Sequence, residues 1–163
     1  MSAFDAIWSG PIGRFGVVIA DDFVTRIDRL EPGPEQPAQH PLAIETVRQL
    51  SAWSDDPRHR FDLPLAPAPT PFQRRFRAAL CAVPVGETVT YGELARQLVS
   101  APRAVGNACG ANPLAIVVPC HRVVAANGIG GYGRDPGGGS AVEFKRWLLA
   151  RERDMVGVLA RYS

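Results

Sequence analysis

No stretch of this 163-residue chain comes near the roughly 18 consecutive apolar residues of a spanning helix, and its N-terminus has no basic region leading into an apolar one. Neither membrane insertion nor export is expected, and the protein is placed in the cytoplasm. Cysteine is scarce. The three residues at 81, 109 and 120 show no paired spacing for zinc and no even-numbered disulfide framework. That pattern fits a reducing compartment, in which a free thiol persists. The chain also lacks internal repeats, low-complexity blocks and any large net charge, the formal value being +2.

The small net charge conceals an asymmetry. Residues 1–70 carry six arginines and ten acidic residues, a net of −4, whereas residues 71–163 carry twelve basic and six acidic residues, a net of +6. A basic half suits a polyanion partner, because Lys and Arg contacts to phosphate supply most non-specific nucleic-acid affinity. Scattered solvated charge would give the same count.

Three closely spaced prolines in Leu63 to Thr70 forbid regular helix and mark a linker. The expected organisation is an N-terminal α/β domain over 1–69, linker included, and a second domain over 70–163. Upstream, Phe15 to Ala20 and Phe23 to Leu30 read as a hairpin about Asp21-Asp22. Pro41 opens a helix with Ile44, Val47 and Leu50 on one face, ending near Trp53. Downstream, capping-box pairs announce three helix starts: Thr70 with Gln73, Thr90 with Glu93 and Ser140 with Glu143. Phe72, Phe76 and Leu80 line the first of these helices, and Leu94 and Leu98 the second. A third helix from about Pro102 to Cys109 follows after a very short connection, so the two resemble a helix-turn-helix. Its side chains, Arg103-Ala104-Val105-Gly106-Asn107-Ala108-Cys109, are mostly tiny. They suit either tight packing on a neighbour or close approach to a narrow minor groove.

The candidate chemistry lies in Pro119-Cys120-His121-Arg122-Val123, which follows the apolar run Leu114 to Val118, read as a buried strand. Cysteine reacts as the thiolate, and a neighbouring base or cation makes the thiolate accessible. Neighbours on a strand point to opposite faces, so direct Cys120–His121 contact requires a turn or a bridging water. Taken alone, the dipeptide reads as a structural cysteine followed by a strand-end histidine.

In order along the chain, Phe61 to Leu65, Thr70 to Gln73, Thr90-Tyr91-Gly92, Arg103 to Gly106, Asn112-Pro113, Pro119 to Val123, Gly128 to Tyr132 and Lys145 to Glu152 resemble the O6-alkylguanine-DNA alkyltransferases, also called methylated-DNA-protein-cysteine methyltransferases. The resemblance is looser at the N-terminus, where it rests on a short strand and Gly10-Pro11-Ile12-Gly13. It implies an α/β (α+β) fold: a small N-terminal antiparallel sheet with a helix, ribonuclease H-like, then a mostly helical, winged-helix-like DNA-binding and active-site domain. It implies direct-reversal repair of double-stranded DNA containing O6-alkylguanine, with O4-alkylthymine as a further candidate, by a monomer that needs no metal and no cofactor. Cys120 is then the alkyl acceptor, His121 its base through a bridging water, and Glu152 the group that holds the histidine. Asn112 ties the turn before the active-site segment. The target base must leave the duplex stack to reach a sulfur. Arg103 matches the residue that fills the vacated stack, and Tyr91 the one that crowds the target phosphate and contacts the base. Ala104, Gly106 and Arg122 join the DNA contacts. Val123, Tyr132 and Gly133 match the base pocket. A stable thioether product implies one transfer per molecule.

Two departures stand out. Tyr91 to Arg103 is about two residues shorter than usual, and the loop from Gly133 to Gly139 is several residues longer, which is expected to widen the range of alkyl groups accepted. Other readings remain open on these residues. They are a non-transferring sensor of alkylated DNA, a cysteine hydrolase using Cys120, His121 and Glu152, and a winged-helix regulator.

Overall fold

The structure is a computed structural model that describes residues 2–132 and 140–162. It is a mixed α/β protein whose chain groups into two compact units, Met1–Ala66 with Pro113–Val117, and Pro67–Asn112 with Val118–Ser163.

The first unit is built on an antiparallel sheet in the order β1 (Ala6–Gly10), β2 (Gly13–Ala20), β3 (Phe23–Leu30). Asp21 and Asp22 both take left-handed backbone, φ 51° and 61°, as a two-residue hairpin turn requires. Short polar side chains tolerate that region better than most. Close approach explains Gly10, where a Cβ would stand 2.3 Å from the Trp8 ring. Helix α1 (Pro41–Asp55) starts where the His40 Nδ1 accepts the Leu42 N–H at 3.0 Å, with proline in the first turn. It packs across all three strands.

Leu50 is buried as expected, together with Ala43, Thr46 and Trp53, but Val47 is only half-buried and Ile44 is 52% exposed. The helix is rotated so that Ala43 and Thr46 are buried in place of Ile44, and the Thr46 hydroxyl donates within the helix to the Leu42 carbonyl at 2.7 Å. A second correction concerns Leu114 to Val118, which is buried but is not a strand. Leu114 makes one parallel bridge to Ile27, then Ile116 turns the chain with φ 70° between Pro113 and Pro119. Extended pairing cannot continue through such a residue.

The second unit begins with α2 (Pro71–Cys81), capped by Thr70, whose hydroxyl accepts the Gln73 N–H at 3.1 Å. Phe76 and Leu80 face inward, while Phe72 is half-buried. Strand β4 (Val89–Thr90) pairs in parallel with β5 (Val123–Val124). Thr90 also caps α3 (Tyr91–Gln97) in a complete capping box with Glu93. After a tight turn comes α4 (Pro102–Gly110), which packs against α3. Arg75 of α2 donates from Nη1 to the Leu98 carbonyl at 3.2 Å, satisfying an acceptor left open at the end of α3. Cys120–Arg122 forms a single 3-10 turn, and α5 (Ser140–Tyr162) packs upon it. The candidate catalytic side chains all come from this unit.

Candidate active site

The 3-10 turn resolves how adjacent residues can serve one site. Successive side chains on such a turn are about 120° apart rather than on opposite faces. The Cys120 N–H donates to the Val118 carbonyl at 2.8 Å and the Arg122 N–H to the Pro119 carbonyl at 3.0 Å, which fixes the turn. Cys120, His121 and Arg122 are consequently all buried.

Burial pushes the Cys120 thiol up, and the Asn112 amide hydrogen bond and the Lys145 charge pull it back only in part. Asn112 also donates from Nδ2 to the Val118 carbonyl at 2.9 Å, so one side chain ties the end of α4 to the acceptor segment. His121 is fully buried, and its Nε2 lies 2.6 Å from Glu152 Oε1. Burial lowers the imidazole below its ordinary range, against the raising effect of Glu152. Glu152 responds the other way. Burial raises its carboxyl, but the hydrogen bonds and charges of His121 and Arg122 together hold it at about 2. An ionised carboxylate only accepts hydrogen bonds, so Nε2 carries the proton and Nδ1 the lone pair. The arrangement at neutral pH is a protonated thiol, a neutral imidazole and a carboxylate that orients it.

Arg122, expected among the DNA contacts, is turned inward. It donates to Glu152 from Nε, at 3.0 Å to Oε2 and 3.3 Å to Oε1, and from Nη2 at 3.0 Å to Oε1, while Nη1 donates to the Val83 carbonyl at 2.8 Å. The 3-10 turn aims it inward, where an extended strand would have left its direction open.

Lys145 opens a segment that matched in the sequence but was given no role there, and it is fully buried. Its Nζ donates to the Val123 carbonyl at 2.6 Å and the Gly131 carbonyl at 2.8 Å, and stands 5.9 Å from the centre of the Tyr91 ring. Burial lowers its ammonium to about 8, opposed by the nearby Cys109 and Cys120 thiols. One signal was available: it is the chain's single lysine, the other 17 of the 18 basic residues being arginine. Cys109 joins the same cluster, its thiol pushed to about 12 chiefly by burial.

Tyr91, at the first turn of α3, has its hydroxyl raised mainly by burial and bonded to the Gly131 backbone. Gly130 makes room for it, since a Cβ there would lie 3.0 Å from the Tyr91 ring and φ is 75°. Tyr132 meets Phe144 edge-on at 5.8 Å. Thus Cys120, Asn112, His121, Glu152 and Tyr91 share one cluster, in which Lys145 ties Val123 to Gly131. On α4, Arg103 is exposed and Ala104 half-buried, and a Cβ at Gly106 would meet no atom within 4 Å. Internal packing therefore does not account for glycine at position 106. Gly133 and the long loop through Gly139 lie outside the described residues, as does the side chain of Ser140. Among the described residues, no group of three or more His, Cys, Asp or Glu side chains is placed to hold a metal ion.

The model of the 6-O-methylguanine DNA methyltransferase DNA-binding domain matches residues 71–154. The methylated-DNA–protein-cysteine methyltransferase of Methanosarcina acetivorans is 45% identical over 90% of this chain and 96% of its own length. That of Mycobacterium tuberculosis is 40% identical over 88% of each chain. Among solved structures, the M. tuberculosis OGT in complex with DNA superposes with a TM-score of 0.71 at 34% identity, covering 91% of this chain and 92% of that one. The Pyrococcus kodakaraensis O6-methylguanine-DNA methyltransferase gives 0.57 at 27% identity, covering 90% and 97%.

Proposed function

Because the chain belongs to the 6-O-methylguanine DNA methyltransferase family, we propose that it is a direct-reversal DNA repair protein that moves the alkyl group of O6-alkylguanine onto Cys120. The observation that carries this reading is a thiol kept protonated by burial, followed directly by a neutral His121 held 2.6 Å from ionised Glu152. His121 Nδ1 takes the Cys120 proton through a bridging water, and Glu152 stabilises the imidazolium that forms. The Cys120 sulfur attacks the alkyl carbon. A carbon–sulfur bond forms, the bond from carbon to guanine O6 breaks, and its electron pair leaves with O6. The thioether contains no further leaving group, so each molecule acts once.

Access to the target requires the base to leave the stack, at a cost of a few kcal/mol. Arg103, exposed at the start of α4, fills the vacancy, and Ala104 and Gly106 let the helix approach the duplex closely. Tyr91 borders the displaced nucleotide, and Val123 and Tyr132 line the base site. The protein acts as a cytoplasmic monomer on double-stranded DNA, with O4-alkylthymine a second substrate to be assayed.

Intact-mass measurement after incubation with an O6-methylguanine duplex tests the proposal. One methyl in place of one hydrogen, abolished by Cys120→Ser, is the expected result. A hydrolase or a lesion sensor would leave the protein mass unchanged, and that outcome refutes the transfer reading.

A further inference from the structure

Arg122 is permanently charged, almost fully buried, and saturates a carboxylate that already serves another donor. Oε1 of Glu152 receives His121 Nε2 at 2.6 Å and Arg122 Nη2 at 3.0 Å, while Oε2 receives Arg122 Nε at 3.0 Å. The remaining guanidinium nitrogen is anchored on the Val83 carbonyl just beyond α2. The fork is therefore fixed at three points, and it fixes Glu152 in turn. Resting on the transfer reading above, we propose that Arg122 is a positioning residue for alkyl transfer. It holds the carboxylate that aims His121, and it offsets enough of that carboxylate's charge to keep the imidazole neutral and able to accept a proton.

The physical argument is a competition for one negative charge. An imidazolium at His121 would gain from Glu152, but the guanidinium already neutralises that carboxylate at hydrogen-bond distance. The other cation facing His121 is Lys145 of α5, so the charged groups around the ring are Glu152 and Lys145 from α5 and Arg122 from its own turn. Two cations against one anion disfavour a third positive charge. Removing Arg122 reverses that balance and raises the proton affinity of the His121–Glu152 pair. A purely mechanical role for Arg122 would leave that affinity unchanged.

Two variants separate charge from geometry. Arg122→Gln removes the charge, whereas Arg122→Lys keeps it and loses the bidentate fork. Each is measured by single-turnover transfer from an O6-methylguanine duplex across pH, and by imidazole nitrogen-15 shifts of His121 in the free protein. With Arg122→Gln, the acid limb of the rate profile and the His121 titration both move up by about one pH unit. With Arg122→Lys, both stay near wild type while the plateau rate falls severalfold.

An unmoved His121 titration in Arg122→Gln overturns the proposal, as does a shift of equal size in Arg122→Lys. If Arg122→Gln does not fold, a fall in the plateau without movement of the limb in Arg122→Lys supports the proposal, and movement of the limb refutes it. Absence of any transfer to wild-type Cys120 instead overturns the underlying function, while the His121 shifts, which need no DNA, still report on Arg122.

Discussion

Replacing Val99 by glycine isolates backbone strain in the turn between α3 and α4. The Val99 N–H bonds to the Arg96 carbonyl at 3.2 Å and the Ser100 N–H to the Ala95 carbonyl at 2.9 Å, the pair of bonds that closes a Schellman motif. That motif places its central residue in left-handed backbone, and Val99 has φ 52°. Glycine is the usual occupant, and a β-branched residue there is a steric outlier. The valine side chain is 92% exposed, so deleting it forfeits almost no burial. Relief of the left-handed penalty is worth roughly 1–2 kcal/mol, and the extra freedom of glycine in the unfolded chain takes back roughly 0.5–1 kcal/mol. Val99→Gly should therefore stabilise by about 1 kcal/mol, raising Tm by about 2–4 °C for a chain of this size. Urea unfolding and thermal melts provide the measurement. Val99→Ala keeps the strained backbone and should recover little of the gain. Equal stabilisation by Ala and Gly would refute the reasoning, because the gain would then come from removing exposed apolar surface. Ile116 supplies the opposite sign with the same backbone. Its φ is 70° but it is only 2% exposed, so Ile116→Gly loses about 2–5 kcal/mol of packing against the same net relief of about 1 kcal/mol and destabilises by about 1–4 kcal/mol overall.

Gly106→Ala should stabilise the free protein by about 1 kcal/mol through helix propensity, since the added methyl meets nothing, yet weaken duplex binding; unchanged affinity in a gel-shift titration would remove Gly106 from the DNA face. Acid should destabilise the second unit in two stages, followed by urea midpoints against pH. His121 is held below its ordinary 6.5, so the unfolded chain takes up a proton that the folded one refuses as pH falls through that value. Glu152, held at about 2 against an ordinary 4.5, contributes fully above 4.5, and that contribution, on the order of 3 kcal/mol, is lost as pH falls from there towards 2. Glu152→Gln should abolish the lower stage and slow transfer about a hundredfold or more. Lys145→Met should slow transfer about tenfold by removing the charge that lowers the Cys120 thiol and the tether between Val123 and Gly131. Wild-type rates should lose the same support as pH rises through about 8, and an alkaline limb unchanged by the substitution would contradict that role.

The parts of the molecule legible in the sequence are those dictated by neighbouring residues. Thr90 and Glu93 close a capping box within one turn, and Asp21-Asp22 forms a hairpin turn between its two strands, so both follow from short-range chemistry. The misreadings came where tertiary context decided. Apolarity alone favours Ile44, Val47 and Leu50 as the face of α1, but only Leu50 of the three is buried, and Ala43 and Thr46 are buried beside it. Leu114 to Val118 has the composition of a buried strand, yet left-handed Ile116 makes it a turn. Arg122 and Lys145 were obscure for a related reason. A basic residue in a basic half reads as a phosphate contact until the structure shows which carboxylate or carbonyl its nitrogens reach. The connection from α3 to α4 is short, and no side chain caps α4 at Ala101, so Pro102 and the Arg75 bond at the end of α3 supply its local definition.

Burial acts on each member of the candidate catalytic cluster according to its charge, and this explains how one buried site can hold a thiol in reserve. Removal from water disfavours the thiolate, the imidazolium and the carboxylate alike. Only Glu152 has enough opposing help to remain ionised, from three Arg122 contacts and one from His121. Cys120 and His121 are thereby left as a neutral acid and a neutral base. Charge separation between them becomes favourable only when an incoming electrophile begins to take up the sulfur's negative charge. A permanently ionised thiolate would react with any passing electrophile, and a protein that transfers one group per molecule could not recover from such a loss. The raised thiol and lowered imidazole are therefore what the proposed single-use acceptor would require, and the Glu152–Arg122 pair would make that resting state compatible with the proposed base at His121.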